Sequence, residues 1–149
     1  MHSSPNRLGA NVREALQTDA PRISALAAQL GYPISAEHAA MRLAQLGDER
    51  RVFVAVVPRV GVVGWIGVSQ ARTLTSSNRV DIEGLVVEDE YRDNGIGELL
   101  LHAAERWASQ RECGTVRVLS NVVRDRAHRF YERHGYDVLK TEYVFEKTL

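Results

Sequence analysis

Apolar positions along the chain recur with two periods, and the changes between them mark the elements. Ile23, Leu26, Ala27 and Leu30 fall at helical spacing. They follow Thr18, Asp19 and Pro21, a capping side chain and then proline in the first turn. Gly31-Tyr32-Pro33 stops that helix. Ser35 caps a second helix, with Ala39, Leu43 and Leu46 inward and Gly47 at its end. Residues 52–57 and 62–68 are Val-rich runs joined by a turn at 58–61, and read as paired strands. Gly64 and Gly67 inside the second run predict bends or bulges. Residues 71–78 are a polar loop and 79–87 a further strand. Ile96, Leu99, Leu100, Ala103 and Trp107 define a helix that reaches about residue 110. Residues 115–120 read as strand, 125–134 as a short helix ended by Gly135, and 136–147 as one or two last strands. Val12 and Leu16 support a short opening strand at 11–16, behind a flexible lead-in at 1–10.

The predicted order is β-α-α-β-β-β-α-β-α-β. Short links between consecutive strands favour antiparallel pairing, and the strand-helix-strand near 80–120 favours a parallel pair. The result is an α+β domain: a mixed, mostly antiparallel sheet with helices on its faces. A doubly wound fold is disfavoured, because it needs strands and helices to alternate throughout.

Composition narrows the function. With 149 residues the chain has the size of one domain, and its formal net charge is zero. Bulk attraction to nucleic acid or to an anionic membrane is therefore not indicated. Cys113 is the only cysteine, which excludes an internal disulfide and fits a reducing cytoplasm. It reads as a small core residue rather than a nucleophile. No apolar run approaches the roughly 20 residues of a membrane span. His2, His38, His102, His128 and His134 show no ligand pairing, so no metal is expected.

The chemistry concentrates in residues 88–100, Glu-Asp-Glu-Tyr-Arg-Asp-Asn-Gly-Ile-Gly-Glu-Leu-Leu. The pattern is strand, acidic turn, Gly-rich loop, helix. A helix N-terminus offers unpaired N–H groups and about half a positive charge, so such a loop is a ready anion site. Gly95 and Gly97 allow close backbone approach, and Arg92 brings donors suited to phosphate. A P-loop would need Lys-Ser/Thr after the second glycine, and a dinucleotide fingerprint a third glycine. Here Glu98-Leu99-Leu100 follow. Alone, the loop equally fits a structural turn.

A second segment follows in order: Asn121 at a strand end, then Ala127, Phe130, Tyr131, Gly135 and Tyr136 as Ala-x-x-Phe-Tyr-x-x-x-Gly-Tyr. With Arg-x-x-Gly-x-Gly at 92–97, this resembles the GNAT superfamily of N-acetyltransferases, over nearly the whole chain. The resemblance implies a single N-acetyltransferase domain at 11–149, with about six to seven strands, four helices and a splayed central parallel pair. It implies acetyl-CoA as co-substrate, its pantetheine lying along the strand before the loop. The backbone of Leu85, Val86 and Val87 would hold that arm, and Arg92, Asp93, Asn94, Gly95, Ile96, Gly97 and Glu98 the pyrophosphate. Gly84 would help the strand bulge. Asn121, Arg124, Ala127, Phe130 and Tyr131 would border the thiol side.

Tyr131 matches the family's general-acid position. A phenol is protonated at neutral pH and can donate to a departing thiolate. Asp81 and Glu83, two apart on one strand, lie about 7 Å apart on one face and form an anionic patch for a cationic amine. Glu83 is the preferred base, with Asp81 the alternative; both also suit plain solvent-facing positions. Tyr32 and Trp65 are placed to line an acceptor pocket together with Glu83. The acceptor is a small-molecule amine or a protein amino group. A homodimer through the edge formed by the last strands is expected. The competing reading is a GNAT-fold module that binds acyl-CoA as a sensor with little catalysis.

Overall fold

In a computed structural model, residues 6–75, 78–120 and 124–149 are described. They fall into two compact units, divided after Val118. The first unit holds β1 (Asn11–Glu14), α1 (Ala20–Gln29), α2 (Ala36–Ala44), β2 (Arg50–Val57), β3 (Gly61–Ala71), β4 (Arg79–Val87), α3 (Ile96–Gln110) and β5 (Thr115–Val118). Short 3₁₀ turns precede α1 and α3.

The five strands form one sheet in the order β1-β2-β3-β4-β5. The first three neighbouring pairs are antiparallel, and β4–β5 is parallel. Alternation along β3 separates two faces. Trp65 belongs with Val54 and Val86 to the core formed with Ala20, Ile23, Leu26 and Ala39 of α1 and α2. At its neighbour Gly64, a Cβ would meet Leu100 of α3 at 3.2 Å and the Val86 carbonyl oxygen at 2.8 Å. Only glycine fits there, because β4 passes too close for any side chain. On the α3 side Leu100, Leu101 and Ala104 are fully buried.

Local signals explain the helix boundaries. The Ser35 hydroxyl accepts from the His38 N–H at 3.1 Å, the expected cap of α2. Gly31 adopts φ 83°, and the Tyr32 N–H returns to the Ala27 carbonyl at 3.3 Å, closing α1. Asp19 departs from expectation. Its side chain does not cap α1 but turns back to accept from the Leu16 N–H at 2.8 Å and from both Arg13 terminal nitrogens at 2.7 and 3.0 Å. A bidentate guanidinium partner outcompetes the helix N-terminus for the same oxygens.

The second unit, Leu119–Leu149, holds α4 (Asp125–Arg133). Gly135, with φ 88°, ends it, and the Tyr136 N–H bonds back to the Tyr131 carbonyl at 3.0 Å. The one or two strands expected at 136–147 do not form: residues 136–149 carry neither helix nor strand. The sheet therefore has five strands among the described residues, rather than six or seven. A strand is defined by its ladder, and propensity cannot supply the partner.

Candidate active site

The site is built on β4. From Arg79 to Ile82 this strand pairs with β3 on one side and with β5 on the other. The β5 pairing ends at Ile82–Val118, while the β3 pairing runs on to Val87–Gly64. Among the described residues, 83–87 thus have a strand neighbour on one side only. β5 itself ends at Val118, so the parallel pair is four residues long. Backbone N–H and C=O groups along such an edge must find other partners, and an extended amide-bearing ligand can supply them. Leu85, Val86 and Val87 all lie on this stretch. Val86 is buried, and the Val87 carbonyl already accepts from Arg92 Nε at 3.2 Å.

The bulge sits where the pairing with β5 ends. Gly84 pairs with Gly67 and Ile82 with Val68, so Glu83 is the extra residue in β4. A Cβ on Gly67 would lie 3.5 Å from the Trp65 ring and 4.0 Å from the Glu83 Cβ, which puts Glu83 and Trp65 on the α1/α2 face. A Cβ on Gly84 would meet the Trp65 ring at 3.0 Å and Leu30 of α1 at 3.6 Å. The two glycines make the slot in which the indole lies. The Trp65 Nε1 is buried with no hydrogen-bond partner among the described residues. Tyr32, two residues beyond Leu30, is 69% exposed.

The two carboxylates differ. Asp81 is held at 2.9 Å by Nε of Arg79 on its own strand. Glu83 is more exposed, and its nearest cation is Arg50 Nη2 at 3.9 Å, a loose contact from the start of β2. Spacing along β4 could show the pair of acids. It could not show Arg50, which only the β2–β3–β4 register brings near.

The loop after β4 is tightly braced. Asp93 and Gly95 both adopt positive φ, 65° and 78°. The Asn94 side-chain amide donates to the Tyr91 and Arg92 carbonyls at 3.2 and 2.9 Å. Arg92 adds an ion pair to Asp89 at 2.8 Å. Its guanidinium therefore shapes the loop, a role the sequence reading had not given it. The backbone then enters α3 at Ile96, which is buried, with Gly97 in the first turn. Glu98, also in that turn, lies 3.8 Å from His102. Left-handed residues just before a helix N-terminus curl the chain into a concavity suited to anions. The residues present fit the pyrophosphate of a coenzyme A.

In the second unit, Arg124 precedes α4, and Ala127, Phe130 and Tyr131 lie within it. The Tyr131 ring packs edge-on to Phe130 at 5.3 Å and to Tyr136 at 5.7 Å. Burial pushes its phenol up to about 12, against a smaller opposing pull from Arg124. Asn121 lies outside the described residues. Among the described residues no group of three His, Cys, Asp or Glu side chains could hold a metal ion, and no helix is long and apolar enough to cross a membrane.

No curated protein matches the chain. Among solved structures, the aminoglycoside antibiotic 6'-N-acetyltransferase AAC(6')-Ih from Acinetobacter baumannii is similar, with a TM-score of 0.82 at 20% identity over 95% of this chain and 99% of that one. A transcriptional regulator from Bacillus halodurans C-125 matches with a TM-score of 0.80 at 24% identity over 93% and 99%. The aminoglycoside acetyltransferase AAC(6')-Iy, in complex with the bisubstrate analog CoA-S-monomethyl-acetylneamine, matches with a TM-score of 0.80 at 19% identity over 94% and 99%. These likenesses establish the fold. The family model described as "Acetyltransferase (GNAT) family" matches residues 13–136, and the chain belongs to that family of acyltransferases.

Proposed function

We propose that the protein is an acetyl-CoA-dependent N-acetyltransferase in which a bound amine attacks the acetyl group directly. The observation that carries this reading is a coincidence of position. The bulge that displaces Glu83 lies at the residue where β4 loses β5 and its free edge begins. A base on that bulge stands beside whatever lies along the edge. Acetyl-CoA supplies an activated thioester acetyl group. The 83–87 backbone would hold its pantetheine amides, with Asn121 on the same arm, and the 92–98 loop its pyrophosphate.

The chain's own groups divide the proton work. An alkylammonium has a pKa near 10 and must lose a proton before it can attack. Glu83 accepts that proton directly or through one water; Asp81, fixed by Arg79, is the weaker candidate. Tyr131 donates toward the departing sulfur. Its phenol at about 12 lies 3.5 above a thiol at about 8.5, so outright transfer would be uphill by roughly 5 kcal/mol. Tyr131 therefore acts as a hydrogen-bond donor that stays protonated, and the sulfur leaves as a thiolate that takes its proton from solvent.

The acceptor is a small amine, for which the aminoglycoside names of two neighbours and the cationic preference of the Asp81–Glu83 face speak together. Tyr32 and Trp65 border it. A single cysteine, buried, suits work in the reducing cytoplasm, and a homodimer is the expected assembly. The second reading, an acyl-CoA-binding module without transfer, draws on the arginine partners of both acids. Calorimetric titration with acetyl-CoA, CoA and ATP, followed by thiol release across an amine panel, separates the two. Micromolar acetyl-CoA binding with amine-dependent thiol release is expected. Binding without release for any amine favours the sensor, and no binding of either CoA species sinks both readings.

A further inference from the structure

The register of the sheet lines up one row of side chains across β2, β3, β4 and β5. Arg50 pairs with Ser69, Ser69 with Asp81, and Asp81 with Arg117. Register partners project from the same face of a sheet. That face is the one that carries Glu83. Asp81 lies two positions before Glu83, with the buried Ile82 between them pointing the other way. Arg50 lies two positions before Val52, and Ser69 four beyond Trp65; both Val52 and Trp65 pack on the core formed with α1 and α2. The neighbour of Arg50 confirms the alternation: the Arg51 guanidinium lies 5.7 Å from the Trp107 ring of α3, on the opposite face.

The charges around Glu83 on this face do not balance. The guanidinium groups of Arg50, Arg79 and Arg117 stand with the carboxylates of Asp81 and Glu83. Arg79 is tied to Asp81 at 2.9 Å. Arg50 stays 3.9 Å from Glu83, beyond hydrogen-bonding distance, and its side chain is 57% exposed. Arg117 is half-buried and has no ion pair or hydrogen bond among the described residues. Such a guanidinium has lost part of its water without gaining a partner, and its planar fork of donors matches a carboxylate. Its Cα lies one strand and two positions from that of Glu83, roughly 8 Å on the diagonal. Where Glu83 takes the proton of a bound amine, Arg117 stands within reach of the next few atoms of the same molecule. We infer, resting on the acetyltransferase reading above, that the acceptor is an amine with a carboxylate a few carbons away. It is an amino acid, with its ammonium end at Glu83 and its carboxylate on Arg117, and Arg50 adds a second cation in the same row. A single negative charge suits the face better than a phosphate, because Asp81 and Glu83 repel a second one. A polycation without an anionic group meets Arg50 and Arg117 and is disfavoured.

The test compares acceptors that differ only in this charge. Full-length protein saturated with acetyl-CoA is given a panel of α- and ω-amino acids, each beside its own carboxamide, and thiol release yields kcat and KM. The expected result is a KM about 10–100-fold lower for the acid than for the amide, the effect of one hydrogen-bonded charge. Arg117→Gln should raise the KM of the acid to that of the amide, and Arg117→Lys should restore part of the difference. Calorimetric titration of the same pairs into the CoA-loaded protein reads the preference without chemistry, which separates this inference from the reading beneath it. Acid-selective binding with no thiol release supports the acceptor class and removes the transfer step. An acid and amide that bind and react equally overturn the inference and leave the transferase, with Arg117 reduced to a charge that guards the sheet edge. A preference that survives Arg117→Gln overturns it too, and so does a failure of acid and amide alike to bind. The wild-type comparison needs no variant, so it decides even where Arg117→Gln does not fold.

Discussion

Residues 79–82 of β4 are paired on both sides, to β3 and β5, whereas among the described residues 83–87 keep β3 alone. The first half behaves as ordinary sheet: Val80 and Ile82 are buried, and Asp81 is tied to Arg79 on the same strand. The second half begins with a bulged glutamate and runs into a loop with two left-handed residues. Neither half differs much in composition. What differs is whether the backbone's hydrogen bonds are spent within the fold. Where they are, the strand is structure; where one side is left open, the strand is a surface on which a ligand can complete the ladder.

The largest effect should come from the residue at the junction. Glu83→Gln keeps the shape and removes the base, and kcat in a saturated thiol-release assay should fall roughly 1,000-fold with acetyl-CoA affinity held. The same change at Asp81 should cost no more than about threefold if 79–82 are structural. Equal losses at both positions would falsify the division of β4 into halves. Tyr131→Phe should lower kcat by roughly 100-fold, again with little change in cofactor binding. Because burial holds the phenol protonated up to about 12, the wild-type rate should show no alkaline loss from this group below pH 10.

Stability variants sharpen the comparison from the other side. Gly64 faces Val87, and a side chain there would drive into the Val86 carbonyl and Leu100. Gly64→Val should cost about 2–3 kcal/mol and be read as a lower denaturation midpoint. An unchanged midpoint would mean that the free half of β4 is not held in place by β3. The smallest effect concerns Asp19. Its bond to Arg13 leads in holding the carboxyl below its ordinary range, against burial, with help from the Leu16 N–H. A carboxylate lowered by folding stabilises the protein above its unfolded pKa of about 3.9 and loses that contribution as pH falls through the folded value. Asp19→Asn should therefore cost about 1–2 kcal/mol at neutral pH. The gap from wild type, measured by urea titration, should close below about pH 4; a gap constant with pH would mean that the Arg13 pair contributes nothing.

The sequence by itself determined the order of elements from β1 to α4, because apolar periodicity and the glycine, serine and proline signals at their ends act over a few residues. It marked Arg92 to Gly97 as a glycine-bearing loop into a helix for the same reason: a strand, two glycines and a helix start are local facts. It placed Glu83 beside a bulge, since glycine at 84 is visible in the chain. Only the tertiary structure decided that Arg92 braces the loop through Val87 and Asp89, that Arg50 approaches Glu83, and that Trp65 fills the slot over Gly84. Each of these depends on register between strands, and a register shift of one residue would reverse every facing side chain. The last strands mark the limit most clearly. Residues 136–147 have the composition of a strand, but a strand needs a partner, and the partner is a property of the assembled sheet rather than of the segment.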